Sequence, residues 1–507
     1  MAIKSKKSGI LLALGLDTSK PAEYIHDSAT PNCNNIEINK YIIEKRIGTT
    51  AMGATMGERI LAIEELEVAG SYNLLRIGIN SAQAYSYDDN TWPSDATGDP
   101  MTASSTNRIS ATRPLISGVR TLVFTNGIDT IKKWSGTDAY GNLGGDPPIA
   151  KYVLDFQGYL LLANVTSVGN PYTSRVQWSD TGNVELWAGG NSGLKDLVQE
   201  NDDITGMAIY GNYAAIHKEN AIYIGYLVTT SSIFKFDRKN TGIGTICNNT
   251  IQNLPTGEQA FLSKSGIHLF NGISAPLIPS LIMEELRQGL NPENIHKCWS
   301  VVVPEINEYW VAVPMGSQTE PDTIYKYNYM TKECHKDERS NISAAGKYTA
   351  SEQKSWADQV GDWASAIGVW DDVKLLELHP IVCFGDTSGI STKRDQVNND
   401  NGTAISAYWD SKIHESDEKG RFARWQEMQV WAKGNNVKIE YSIDGGTNWV
   451  LITTLALSSD FPTDDAPLYC YLDVVSTKIQ FRFSNATLGE SFSLKQYIVE
   501  YRNREMR

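Results

Sequence analysis

The 507-residue sequence has little cysteine and no long apolar run. Its six cysteines, Cys33, Cys247, Cys298, Cys334, Cys383 and Cys470, form no C-x-x-C pair. Neither a zinc ribbon nor a disulfide framework is indicated, and buried thiols in a reducing compartment are the expectation. No window approaches the roughly 20 apolar residues that a spanning helix needs, so no membrane-spanning segment is expected. Basic residues are the minority charge, 45 Lys and Arg against 59 Asp and Glu, net −14. A grip on nucleic acid phosphates, which comes from clustered cations, is not expected of such a surface. The seven histidines (26, 217, 268, 296, 335, 379 and 414) never fall at H-x-x-x-H spacing, and His217 and His268 sit in apolar strands where a satisfied core histidine is the simpler reading. Nucleophile-elbow, P-loop and dinucleotide fingerprints are also missing. The acidic pairs Asp202-Asp203, Asp371-Asp372 and Asp464-Asp465 fall in loops, where solvation and turn formation explain them. No catalytic residue, cofactor or metal ligand is therefore assigned, and the chain is read as not an enzyme. Residues 1 to 16 have the outline of a signal peptide, but the apolar run is short and no A-x-A site follows, so secretion is not expected.

Thirteen Trp, 24 Tyr and 41 Gly are present, and helical periodicity is scattered. That combination predicts an all-β protein. Residues 203 to 228 show its unit: three short runs rich in Ile, Tyr and Ala, separated by Gly211-Asn212 and by Lys218-Glu219-Asn220. Loops that short join antiparallel neighbours. The second and third runs are apolar on both faces, whereas a sheet with one wet face alternates. Like sheets must then cover both faces, and stacking around an axis achieves this. Comparable units start near residues 58, 110, 149, 203, 245, 297 and 340, a period of about 47, which suits a four-stranded propeller blade. About seven blades are predicted, with six or eight also compatible. Residues 36 to 47 should add a strand to the last blade and close the ring. One helix is predicted near 280 to 290, capped by Ser280 and stopped by Gly289, packed on a sheet edge.

After a charged, Asn-rich linker at 393 to 402, strands alternate cleanly, as in Lys478-Ile-Gln-Phe-Arg-Phe483. Some eight such strands predict a C-terminal β-sandwich or jelly roll. The expected division is an N-terminal arm (1 to 35), a β-propeller (36 to 395) and a β-sandwich (396 to 507). Within the sandwich, Ser442-Ile-Asp-Gly-Gly-Thr-Asn-Trp449 matches S-x-D-x-G-x-x-W, the Asp-box hairpin. Asp444 can accept backbone N–H bonds with Ser442 beside it, Gly446 can take positive φ, and Trp449 can pack against the turn. It is a structural hairpin signature. If function sits on loops, those at 93 to 105, 136 to 148 and 347 to 372 are the candidates.

Several stretches together resemble the propeller-shaped tail hub or nozzle proteins of tailed bacteriophages, also called packaged-DNA stabilisation proteins. They are Val176-Gln-Trp-Ser-Asp-Thr-Gly-Asn183 with Trp187, Asp203-Ile-Thr-Gly-Met207, Ile216-His-Lys-Glu-Asn-Ala-Ile-Tyr223, Ser265-Gly-Ile-His-Leu-Phe-Asn-Gly272, Val301-Val-Val-Pro-Glu-Ile-Asn-Glu-Tyr-Trp310 and the hairpin at 442 to 449. The resemblance runs over most of residues 36 to 507. It implies a structural protein of the virion tail, made in the host cytoplasm. It also implies a homo-oligomeric ring of six subunits below the portal and adaptor proteins, in contact with tail fibres or spikes. Such a ring retains DNA and then conducts it without sequence-specific binding. The rival reading is a carbohydrate-active propeller with a carbohydrate-binding sandwich, motivated by the Asp-box and the aromatic content.

Overall fold

A computed structural model describes all residues except 1–4, 10–12, 68–73, 88–90, 93–97, 99, 103–107, 138, 229–231, 279–281, 349–379, 417–419 and 504–507. Seven antiparallel sheets follow one another from Ile60 to Arg394. Their first strands, Ile60–Glu67, Ser110–Thr112, Ile149–Phe156, Ile204–Tyr210, Gln252–Asn253, Trp299–Val303 and Ile342–Tyr348, surround an axis, and the last packs back on the first. The chain is a seven-bladed propeller. The meander at 203 to 228 shows why. Ala214, Ile216 and Tyr223 on one face join Leu161, Val176 and Trp178 of the blade before it. Ala215, Ile222 and Ile224 on the other join Phe261 and Phe270 of the blade after it. Each isoleucine, leucine, valine or phenylalanine taken fully out of water contributes about 1.5–3 kcal/mol, so each blade depends on both neighbours.

Closure differs from the expectation. The last blade, Ile342–Tyr348, Ile381–Asp386 and Ser391–Arg394, receives its outer strand from Thr49–Ala51. Residues 36 to 47 go elsewhere: Ile36–Asn39 and Ile42–Lys45 form a hairpin that pairs with Phe492–Asn503 of the sandwich. Their burial alternates, which suits a sheet with one wet face and not a blade covered on both. Blade seven also sits unusually close to blade one. A Cβ on Gly346 would lie 2.2 Å from the Ile63 carbonyl oxygen, and Ser343 Oγ donates to the Ile60 carbonyl at 2.6 Å.

The charged stretch at 393 to 402 is no free linker. Ser391–Arg394 and the small hairpin Asn399–Asp400 with Thr403–Ala404 belong to the last blade's sheet. The third blade takes its fourth strand from Gly193–Asp196, and Val184 and Trp187 before it are buried beneath a turn. The helix runs Met283–Gly289 with Ile282 at its N-cap and no side-chain cap. Ser280 lies outside the described residues, and Ile282 and Leu286 are buried against strands of blade five and beyond.

The C-terminal sandwich has two sheets. One orders Leu468–Ser476, Ala423–Gly434, Phe492–Asn503, then the 36–45 hairpin, with Ser5–Gly9 also on Phe492–Asn503; the other orders Cys33–Asn34, Ala407–Asp410, Lys478–Asn485, Asn436–Ser442 and Val450–Ala456. The N-terminal stretch is therefore not a separate arm. Gly15–Leu16 pairs in parallel with the outer strand of blade six at Cys334, and Cys33 pairs with Trp409. One apolar core runs from Leu262 and Val311 of the propeller through Leu16 and Ile36 to Trp425 and Tyr497 of the sandwich.

Buried charges join the same elements. Asp337 is fully buried, with Lys326 Nζ at 2.7 Å, Arg46 Nε at 3.4 Å and Arg339 Nη2 at 3.6 Å. The Lys326 contact lies off the hydrogen-bonding direction, so it is Coulombic. Arg46 also pairs bidentately with Asp400, at 2.9 and 2.5 Å. Burial alone would raise the Glu37 carboxyl, but Arg394 and Lys326 outweigh it and hold it down to about 2. Burial pushes Glu308 up to about 8 and His335 down to about 3, the latter helped by Lys326.

Candidate functional site

The seven inner strands run in one direction, so the propeller axis has two distinct mouths. At the mouth where these strands begin, residues of blades two, three, five and six line a cavity of about 170 Å3. Arg108 leads into the inner strand of blade two and reaches across the axis. Its Nη1 donates to the Ser343 carbonyl of blade seven and its Nη2 to the Lys297 carbonyl beside blade six. The backbone of the opposite blades thus holds the guanidinium in place. Lys151 and Tyr152 come from the start of the inner strand of blade three, Cys247 and Asn249 from the turn opening blade five, and His296 from the turn opening blade six. Among the described residues no carboxylate lines the cavity. Burial lowers Arg108 and, together with Arg108 and Lys297, lowers His296. Burial also raises the Tyr152 hydroxyl and the Cys247 thiol.

The opposite mouth, of about 540 Å3, gathers Glu65, Glu67, Arg113, Arg120, Asp155 and Lys347. Its arginines are engaged. Arg113 pairs with Glu64 and donates to the Glu65 carbonyl, and Arg120 donates to the Arg113 carbonyl at 2.9 Å. Burial raises the Asp155 carboxyl against the pull of Arg120, and raises Glu64 against that of Arg113.

A third surface lies on the sandwich, where each sheet ends, among the described residues, in an edge strand, the two lying on the same side. These are Leu468–Ser476 and Val450–Ala456, which touch one another. Tyr471 is 74% exposed and Leu451 54%, with Tyr469, Val475 and Val450 exposed beside them. Alternation in Leu468-Tyr-Cys-Tyr-Leu472 buries Cys470 and Leu472 and turns both tyrosines outward. Free backbone donors and acceptors beside exposed apolar side chains are what edge-to-edge association uses.

The Asp-box residues form a closed local unit. Asp444 accepts from the Thr447 and Asn448 N–H groups at 3.1 and 3.0 Å and from Ser442 Oγ at 2.6 Å. Those bonds hold its carboxyl down to about 2. Gly446 has φ +88° and donates to Ser442 Oγ at 2.9 Å. Trp449 packs against the turn, its ring 3.5 Å from where a Cβ on Gly446 would lie, and also covers Arg482, whose guanidinium lies 4.2 Å from that ring and 4.3 Å from the ring of Tyr408. Nothing chemical converges on the hairpin. His217 bonds Gln259 at 2.8 Å, and His268 bonds Ala275 O at 2.7 Å and Ser265 at 2.8 Å. Asp202 neutralises the fully buried Lys218 at 2.9 Å. Asp371 and Asp372, and most of the loops at 93 to 105 and 347 to 372, lie outside the described residues.

Among the described residues no cluster of His, Cys, Asp or Glu is placed to hold a metal, and no helix is long and apolar enough to cross a membrane. Spacing along the chain does not disclose the axial mouths, because each gathers residues from four or more blades.

No family model matches the chain, and no curated protein matches it. Among solved structures, it is similar to BBS1N in complex with ARL6DN, at 8% identity over 69% of this chain and 97% of that one, with TM-score 0.39. BamB from Moraxella catarrhalis is similar at 9% identity over 71% and 93%, with TM-score 0.37. The Neurospora crassa Pan2 WD40 domain is similar at 9% identity over 69% and 94%, with TM-score 0.35. The propeller assignment rests on the sheet order.

Proposed function

We propose that this chain is a structural subunit of a bacteriophage tail, a hub or nozzle protein. Copies assemble into a ring below the portal and adaptor that retains DNA and then conducts it. The observation that carries this reading, beside the resemblance in sequence, is the pair of sandwich edge strands with exposed Tyr469, Tyr471, Val450 and Leu451. A ring subunit needs such a surface for a second copy. The net charge of −14 suits a channel wall along which DNA slides, since an acidic wall repels phosphates. The test is mass measurement and negative-stain microscopy of the purified protein and of virions. We expect rings of about six copies, disrupted in Tyr471→Glu with the circular dichroism unchanged. A monomer at micromolar concentration that is absent from particles refutes the reading.

The second reading, a carbohydrate-active propeller with a carbohydrate-binding sandwich, is favoured by the mouth holding Glu65, Glu67, Asp155, Arg113 and Arg120. It stands second because those arginines are already engaged by Glu64 and by backbone carbonyls. Release of reducing sugar from oligosaccharides, abolished in Asp155→Asn, would promote it.

A further inference from the structure

Blades four and five do not cover one another completely. Blade four carries a full outer strand, Phe234–Thr241. Blade five has three strands among the described residues. Its outer side is filled by Pro276 to Ile278, through Leu269 N–H to Pro276 O and Ile278 N–H to Ile267 O, both at 3.0 Å. The face of blade four that Phe261 and Phe270 cover is left open beyond them, as a cleft of about 370 Å3, within the roughly 300–1,000 Å3 of small-molecule sites. Tyr210, Tyr213, Tyr226, Asp237 and Lys239 line it. Strand alternation gathers them: Tyr226 lies two residues beyond Ile224, which pairs with Asp237, so these side chains share one face. Tyr213 is 45% exposed and Lys239 exposed, while Tyr210, Tyr226 and Asp237 are half-buried, so each side chain is open to solvent. The Tyr213 and Tyr226 rings stand 6.3 Å apart at 83°, a platform with a wall. Tyr226 Oη donates to Asp237 Oδ2 at 2.8 Å, and Lys235 Nζ lies 3.2 Å from Oδ1. Those contacts fix the carboxylate and leave each oxygen a further acceptor position. Gly272 keeps the third ring bare, since a Cβ there would lie 3.1 Å from Tyr210 Cε1.

We propose that this cleft on the flank of the propeller binds a pyranose residue of an oligosaccharide. A sugar ring has an apolar C–H face that packs on a tyrosine ring and a rim of hydroxyls that both donate and accept. One hydroxyl donates to the Asp237 carboxylate and another accepts from Lys239 Nζ. Other occupants of an aromatic cleft fit less well. A quaternary ammonium would meet a carboxylate already paired with Lys235 and the positive charge of Lys239. An extended peptide would have to add to the outer strand, where Lys235, Asp237, Arg238 and Lys239 make the charged edge that resists strand addition. The cleft is separate from the mouth holding Glu65, and neither reading of the protein's overall role enters this inference.

The experiment is saturation-transfer NMR with the full chain and, separately, methyl glucoside, methyl galactoside, N-acetylglucosamine and galacturonate at millimolar concentration. Choline and a proline-rich peptide are the rival probes. We expect saturation of the ring C–H protons of at least one sugar, with binding about five-fold weaker in Tyr213→Ala and little changed in Tyr213→Phe, which keeps the ring. Asp237→Asn, which keeps the shape and removes the charge, should weaken it about three-fold. A preference for galacturonate that Lys239→Met removes assigns an acidic sugar, and a preference for the methyl glycosides or N-acetylglucosamine assigns a neutral one. Tyr213 lies at the surface beside the Gly211-Asn212 turn, and circular dichroism verifies that its variants fold. Saturation of no sugar overturns the proposal, as does sugar binding unchanged in Tyr213→Ala. Choline or the peptide binding through Tyr213 while no sugar binds overturns it in favour of that occupant.

Discussion

Replacing Asp337 by alanine should destabilise the protein by about 3 kcal/mol, at the lower end of the ~3–5 kcal/mol that breaking a buried ion pair costs. The carboxylate is fully buried and faces Lys326 at 2.7 Å, Arg46 at 3.4 Å and Arg339 at 3.6 Å. Without it, Lys326 keeps Glu37 at 3.5 Å and Arg46 keeps Asp400 at 2.5 Å. Arg339, whose guanidinium burial and Arg46 already push down to about 10, loses its close carboxylate. Two of three cations thus stay compensated and one does not. Because these residues join the N-terminal hairpin to blades six and seven, and one apolar core spans propeller and sandwich, the loss should shift a single cooperative transition. Urea unfolding, followed by circular dichroism and by tryptophan fluorescence, measures it. Trp310 lies under Lys326, with Nζ 4.3 Å from the ring, and reports locally. A loss below about 1 kcal/mol at unchanged m-value would show that water re-enters and solvates the cations, and the argument from burial would fail.

Acid should unfold the protein before its carboxylates are fully protonated. Burial holds His217 down to about 4 and, with nearby lysines, His335 and His414 down to about 3, so below pH 6.5 the unfolded chain takes up three protons that the fold refuses. Glu308, raised to about 8, opposes them by keeping one proton that the unfolded chain loses above about 4.5. The net of about two protons near pH 5 gives a fall of roughly 2.7 kcal/mol per pH unit as pH decreases, to be read from urea midpoints close to pH 5. Stability that instead rises toward pH 5 would contradict the sign. Gly346→Ala should loosen the junction of blades seven and one by about 1–3 kcal/mol, because its Cβ would meet the Ile63 carbonyl and not a movable side chain; thermal unfolding checks it. Asp444→Ala should lower the melting temperature while leaving assembly, read by mass measurement, unchanged, since its bonds are confined to its own turn.

What the sequence by itself determined is the local repeat. Runs such as Tyr213–Lys218 and Ala221–Leu227, apolar on both faces and joined by tight turns, admit only a sheet covered twice, and seven such units make a propeller. Clean alternation after Ala407 likewise marks strands with one wet face, and Ser442, Asp444 and Gly446 specify their hairpin because every partner lies within a few residues. The stretch from Ile36 to Lys45, expected to close the ring, alternates apolar and polar residues only over Ile36–Asn39, and its place in the sandwich follows from pairing with Phe492–Asn503. The closing strand, Thr49–Ala51, is three residues long and carries no period of its own. Only the tertiary structure decided where these pieces go. Closure depends on residues more than 300 positions apart pairing at Thr49 and Arg394. The mouth bearing Arg108 exists only because Arg108, Lys151 and His296, unremarkable singly, are brought to one cavity from three blades. A linear pattern records which face of a strand is buried, and it does not record which distant strand buries it.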